Sequence, residues 1–404
     1  MKAKLSTMVA ALALALAGGA AQAEISGGVV KIGVMNDMSG VYADIGGPGS
    51  VEAAKMAAED FQKMANPKFK IEIVSADHQN KPDVGSNVAR QWYDTDGVDA
   101  IADVPTSSVA LAVSQVTKDK NKAFLATGPG TSDLTGKACS PNTVHWLYDT
   151  WMLAHGTGTA ATKSGGDTWF FLTVDYAFGH ALERDTAEAV KQAGGKVLGT
   201  VRHPLATQDF SSFLLQAQAS KAKIIGLANA GGDTINSIKQ AAEFGIVQGG
   251  QNLAGLLVFL TDIHGLGLNT AQGLILTETF YWDLNDQTRE WSKRFTPRNN
   301  GKYPSMDHAG VYAVVLHYLK AVQAAGTDDG AKVVAKMKEM PTDDPLFGKG
   351  TIRVDGRKIH PAYLFEVKKP SESKGPYDYY KLRGTIPADE AFRPLEEGGC
   401  PLVK

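Results

Sequence analysis

Thr106, Ser107 and Ser108 stand in a row between an apolar run ending in Val104-Pro105 and an apolar segment with helical spacing. Two kinds of chemistry are open to hydroxyls at such a place. One of them can cap the helix, whose first backbone N–H groups have no partner within it. Alternatively, the surplus hydroxyls and those N–H groups, at the positive end of the helix dipole, can hold an anion from outside the chain. The window by itself leaves both readings open.

Similar chemistry recurs along the chain. Residues 37–42 read DMSGVY and contain Ser39 and Tyr42, residues 104–108 read VPTSS and contain Pro105, and residues 127–131 read TGPGT and contain Thr127, Gly128 and Pro129. Further on, residues 175–179 read DYAFG, with Tyr176 and Phe178, and residues 229–234 read NAGGDT, with Asn229, Ala230 and Asp233. Asp262 follows Thr261 in the last of these loops. Each falls at the carboxyl end of a predicted strand, where open α/β sheets bind ligands. Residues 46–50 (GGPGS) lack G-x-G-x-x-G spacing, and no Walker A or G-x-S-x-G sequence occurs. The nine histidines are scattered, with His308 and His317 too far apart on one predicted helix to suggest a metal. A binding protein is expected, not an enzyme, with no cofactor and no metal.

These loops require two α/β units. Strands are predicted over 29–35, 69–75, 100–104 and 123–127, with helices over 51–64 (capped by Ser50), 84–94 and 109–118. A second series has strands at 168–174, 196–201, 223–227 and 256–260, and helices at 179–192, 210–219 and 233–244. Such alternation is the pattern of parallel sheet wrapped by helices. After residue 271 come a strand at 274–277, helices at 287–295 and 306–325 that should pack back on the first unit, and strands at 350–354 and 363–367 that need an edge on the second. The expected fold class is α/β, with two Rossmann-like lobes whose parallel sheets are joined by a hinge of three crossings near Leu147, Phe280 and Pro345. A hinge between lobes makes a cleft. The expected divisions are a leader at 1–23, lobe one at 24–147 plus 280–345, lobe two at 148–279 plus 346–370, and a tail at 371–404.

Lys2 and Lys4, an apolar run at 8–17 and the ending Ala21-Gln22-Ala23 predict a secretory leader cut after Ala23, the run being too short to span a bilayer. Glu24 rather than cysteine follows, so a soluble periplasmic protein without a lipid anchor is expected. The 404 residues include 41 Lys and Arg against 43 Asp and Glu, a formal charge of −2 that becomes −4 once Lys2 and Lys4 leave with the leader. That balance argues against nucleic acid and offers no basic patch to anionic lipid. Cys139 and Cys400, alone in an exported chain, are expected to form one disulfide that ties the tail to the body.

The order of a leader, KIGVMNDMSG, PTSS, TGPGTSDLT, DYAFG, DFSSFLLQAQ, NAGGD and GVYAVVLHYL resembles the periplasmic leucine/isoleucine/valine-binding proteins, type I (Venus-flytrap) solute receptors of ABC importers, through essentially the whole mature chain. The resemblance implies that Thr106 and the 127–130 loop grip a ligand carboxylate, which favours the anion reading of the three hydroxyls. A neutral nest of N–H and O–H groups can do so without an arginine. Amino-acid receptors of this kind use a lobe-two acid for the ammonium group; Asp262 lies in the matching loop. The stretches TGPGTSDLTG and NAGGDT are most similar to the subgroup that takes up aromatic carboxylates, and Tyr42, Tyr148, Trp151, Tyr176, Phe178, Phe280, Tyr281 and Trp282 gather near the predicted cleft. The ligand expected is a small aromatic acid of the benzoate or phenylpropenoate type. Thr106, Ser107 and the Thr127 loop would hold its carboxylate, Tyr42 and Phe280 would sandwich its ring, and Tyr176, Phe178 and the Asn229 loop would close over it. The partner expected is an ABC permease, served by a monomer. Two alternatives stand beside this: a branched-chain or other amino acid held through Asp262 or Asp233, and a ligand sensor for a receptor kinase.

Overall fold

The computed structural model describes residues 25–404, so the predicted leader lies outside the described residues. The first series of strands, Val29–Asn36 (β1), Lys70–Asp77 (β2), Ala100–Asp103 (β3), Ala123–Ala126 (β4) and Thr143–His145 (β5), forms a sheet in the order β2-β1-β3-β4-β5. The second, Thr168–Val174 (β6), Lys196–His203 (β7), Ile224–Ala228 (β8) and Asn252–Gly255 (β9), is ordered β7-β6-β8-β9. Every pairing in both is parallel. Helices on the faces bury the strands, which is why β4 and β8 read as unbroken apolar runs. In each sheet the chain moves from its first strand to one edge, then returns and grows the other way. The loops after β1 and β3, and after β6 and β8, therefore diverge, opening a crevice at each switch point.

The helix Gly47–Ala65 starts earlier than predicted, with Pro48 in its first turn. Ser50 is thus buried inside the helix rather than capping it. Proline is favoured there because its fixed φ suits a helix start and its missing N–H is no loss. Met306–Ala325 packs against Gly47–Ala65 on one side and Gly330–Glu339 on another. Being enclosed, it is apolar on nearly every face.

Two expectations about strands are corrected. The 256–260 run is not a strand: β9 ends at Gly255, paired with Leu227, and the apolar residues that follow form a loop before the helix Leu260–Leu266. Nor do the late strands join the second parallel sheet. Ala362–Val367 (β14) lies between Ile275–Glu278 (β10) and Tyr380–Ile386 (β15) in an antiparallel sheet, and Gly348–Ile352 (β12) lies between Thr342–Asp344 (β11) and Lys358–Ile359 (β13). The first of these sheets shares a core with the second lobe, through Leu276, Phe365 and Val367 packed with Leu172, Ile225 and Leu227. Residues 371–404 thus include a paired strand, and Cys400 is joined to Cys139 across 261 residues.

At the first crossing, Arg357 is fully buried and donates to the carbonyls of His145, Leu147 and Tyr148 and to the Asp149 carboxylate at 3.2 Å. His360 Nε2 bonds the Trp146 carbonyl at 3.0 Å. These bonds fix the backbone between the lobes, and a buried guanidinium needs every one of them to offset its lost hydration.

Candidate ligand site

Both crevices open on one small cavity between the lobes. From the first lobe, Tyr42 and Ile45 come from the loop after β1, Pro105 from the loop after β3, and Gly128 and Gly130 from the loop after β4. From the second, Tyr176 and Phe178 follow β6, Ala230 follows β8, and Leu257 and Phe259 follow β9, while Tyr148 reaches in from the first crossing. Among the described residues, this lining contains five aromatic rings and no charged side chain, and its polar side-chain groups are three phenols.

The lobes are closed on each other. The Tyr42 and Tyr176 hydroxyls, from opposite lobes, are bonded at 2.8 Å, and the Gly232 N–H donates to the Val41 carbonyl at 3.1 Å. Tyr148 donates its hydroxyl to the Gly128 carbonyl and meets Phe259 edge-on at 5.8 Å. Burial pushes all three phenols above their ordinary range, so they remain neutral O–H donors at any pH a periplasm meets.

Behind this wall the predicted hydroxyls are occupied within the first lobe. Thr106 is the N-cap of Ser107–Asp119 without making a side-chain cap bond; its hydroxyl donates to Asn80 Oδ1. Ser107 Oγ accepts from the Thr131 N–H at 3.2 Å, and Thr127 Oγ1 donates to Asp103 Oδ1 at 3.1 Å. What the loop can still offer is backbone. The first bond inside the helix runs from the Ala110 N–H to the Thr106 carbonyl, so the N–H groups before it stand at the positive end of the dipole without an intrahelical acceptor. Asp103 and Val104 take φ of 78° and 63°, a conformation that a β-branched residue rarely adopts. This strained turn swings the chain out of β3 toward the cavity. Gly128 is required beside it: a Cβ there would lie 2.7 Å from both Asp103 Oδ1 and Pro105 Cα.

Other predicted residues sit elsewhere. Ser39 is exposed, its hydroxyl 3.4 Å from Asp77 Oδ2, and Pro129 turns its carbonyl to His145 Nε2 at 2.7 Å. Asn229 is spent within the second lobe, on His203 Nε2 at 3.1 Å and the Thr234 hydroxyl at 2.7 Å. Asp233 accepts from the Ala206 N–H at 3.1 Å, and Asp262 accepts from the Phe259 N–H at 2.9 Å, capping its own helix. Burial raises both carboxyls to about 7. Phe280 is corrected from ring partner to core residue, meeting Trp291 edge-on at 6.0 Å because the chain has already crossed into the first-lobe core. Trp282 donates to the Tyr377 carbonyl at 2.7 Å, and Trp151 stacks on His155 at 3.6 Å outside the cavity. The sequence pattern does not single out Leu257 and Phe259, because their apolar run has the character of a strand; the glycine ending β9 is the available sign that the strand stops short.

The family profile of periplasmic binding proteins matches residues 29–375, and the chain belongs to that family. A periplasmic binding protein from Burkholderia mallei is 54% identical, with a TM-score of 0.90 over 93% of this chain and 99% of that one. A protein from Burkholderia xenovorans named as a branched chain amino acid ABC transporter periplasmic ligand-binding protein is 40% identical, with a TM-score of 0.81 over 93% of this chain and 100% of that one. A Leu/Ile/Val-binding protein homolog from Brucella melitensis is 27% identical, covering 90% of this chain and 93% of its own. The fold is also that of a Rhodopseudomonas palustris solute-binding protein of an ABC transporter, solved with 3,4-dihydroxy benzoic acid, at 22% identity and a TM-score of 0.79 over 89% of this chain and 98% of that one. The protein is thus an α/β two-lobed solute-binding protein of the periplasmic, ABC-transporter class.

Proposed function

We propose that this protein is exported with its leader removed after Ala23 and captures a small aromatic carboxylate between its lobes for an ABC permease. The cavity lining carries the reading: rings on several sides and no charged side chain suit a flat apolar body, since aromatic pairs favour offset or edge-on contact. The carboxylate is held by backbone N–H groups at the start of Ser107–Asp119 and by that of Gly130, positioned by Thr106, Ser107 and Thr127. Residues 24–147 with 280–345 form the lobe that holds the head group, and 148–279 with 346–370 the lobe that closes over the ring.

A second reading, a branched-chain amino acid, is favoured by the name of the 40% identical relative. It needs an acceptor for the ammonium group: Asp262 is already held by the Phe259 N–H outside the lining, and Asp233, also outside it, accepts from the Ala206 N–H through Oδ2 and keeps Oδ1 without a donor. Thermal unfolding against benzoates, phenylpropenoates and leucine separates the two. A ligand at a hundredfold over its Kd adds about 2.7 kcal/mol, several degrees in midpoint. Aromatic acids should raise the midpoint; a rise with leucine alone overturns the aromatic reading.

A further inference from the structure

Behind the first-lobe wall, five fully buried polar side chains converge from five segments: Asn36 at the end of β1, Ser50 in Gly47–Ala65, Asp103 at the end of β3, Thr127 after β4, and Asp307 in the first turn of Met306–Ala325. Their closeness is measured by Gly46, where a Cβ would lie 2.6 Å from Asp307 Oδ2, 2.7 Å from Asn36 Nδ2 and 2.9 Å from Ser50 Oγ. Asn36 Nδ2 and Thr127 Oγ1 donate to Asp103, as does the Gly128 N–H. Both oxygens of Asp307, by contrast, lack an aligned donor; beside it lie the Asp103 carboxyl and the Thr127 hydroxyl, whose proton goes to Asp103. Two buried carboxyls in contact cannot both be ionised, so a proton lies between them. Because Asn36, Thr127 and Gly128 already donate to Asp103, that residue is the acceptor and Asp307 the acid that donates.

We propose that Asp307 is a positioning residue of the ligand site: as a carboxylic acid it holds Asp103, and through Asp103 the Gly128 loop and the strained Asp103-Val104 turn, in the shape that receives the ligand's carboxylate. The inference rests on the carboxylate reading above but not on the ring. Loss of the proton would place two negative charges behind a loop that accepts an anion, so ligand and proton each favour retention of the other. The groups facing the pair leave it to titrate alone. Tyr148 stays neutral, and the His308 ring is held by the Gly46 carbonyl and by Ser305. Among the described residues, no lysine or arginine pairs with either carboxyl.

Affinity for benzoate and for leucine, both carboxylates, is measured by calorimetry from pH 6 to 9 in the wild type, Asp307→Asn and Asp307→Leu. The probe that binds should weaken tenfold or more over this range in the wild type. Asn, whose amide also donates to Asp103, should restore binding lost in the Leu variant and flatten the profile. Parallel profiles in the wild type and Asn variant, or a Leu variant that binds as the wild type does, overturn the proposal. Unfolding of the ligand-free wild type and Asn variant over the same range supplies a second reading, expected to decline less steeply with pH in the variant, and equal slopes overturn the shared proton. If neither probe binds the wild type, the carboxylate reading fails, and the unfolding slopes alone decide whether the proton is shared.

Discussion

The two walls of the cavity are built from matching topology and unlike materials. On the first lobe, the loops after β3 and β4 present Pro105, Gly128 and Gly130, so backbone faces the ligand while hydroxyls and carboxyls lock that backbone from behind. On the second, the loops after β6 and β9 present Tyr176, Phe178, Leu257 and Phe259, so side chains face it directly. Fixed N–H dipoles serve a charged head group, and rings serve a body that gains by leaving water. On the proposed reading, the β3 and β4 loops of the first lobe set whether an anion is held, and the second lobe, with Tyr42 and Ile45 of the first, sets which body is enclosed.

The sharpest way to break this comparison is to crowd the backbone wall. Gly128→Ala places a methyl group against Asp103 and the Pro105 backbone, and overpacking there should cost about 3 kcal/mol, roughly a hundredfold in affinity by calorimetry. Truncating a second-lobe ring should cost less. Phe178 packs against Gly130 across the cleft, and Phe178→Ala should lose about 2 kcal/mol, with aromatic acids weakened more than leucine in the same titration. Smaller again, Tyr176→Phe removes one cross-lobe hydrogen bond, and stopped-flow release should speed up about fivefold, as expected for about 1 kcal/mol.

The mildest test is Asp262→Asn. Asp262 caps its own helix outside the lining, so affinity for benzoate should stay unchanged, while a leucine receptor using this carboxylate would lose binding strongly. The same variant reports on pH. Burial lifts Asp262 to about 7. Its unfolded value lies near 4, so this carboxyl's contribution to stability is fully present below about pH 4 and is lost as pH rises through about 7. Removing the acid should flatten that part of the unfolding profile.

Much of the fold was legible because its signals are local. The run at 168–174 is β6 with the predicted ends, and the apolar segment 306–325 is a helix with the predicted ends. The site was legible only in part. Tyr42, Pro105, Gly128, Tyr176, Phe178 and Ala230 lie in the lining, each in a loop after a strand. Phe280 and Phe259 exchanged roles: an aromatic residue reads alike in core and cleft, and its place depends on where the preceding strand stops. β9 stops at Gly255, and that is decided by pairing with β8.

The amino-acid sequence by itself determined the alternating α/β pattern, the order of the ligand loops and the small, hydroxyl-bearing character of the first-lobe loops, because periodicity and residue type act over a few neighbours. Only the tertiary structure decided that Thr106, Ser107 and Thr127 turn their hydroxyls inward, that β14 lies between β10 and β15, and that Asp103 meets Asp307. Those contacts join segments far apart in the chain, and their partners are chosen by the packing of the whole molecule, where a buried polar group settles wherever a donor or acceptor can reach it.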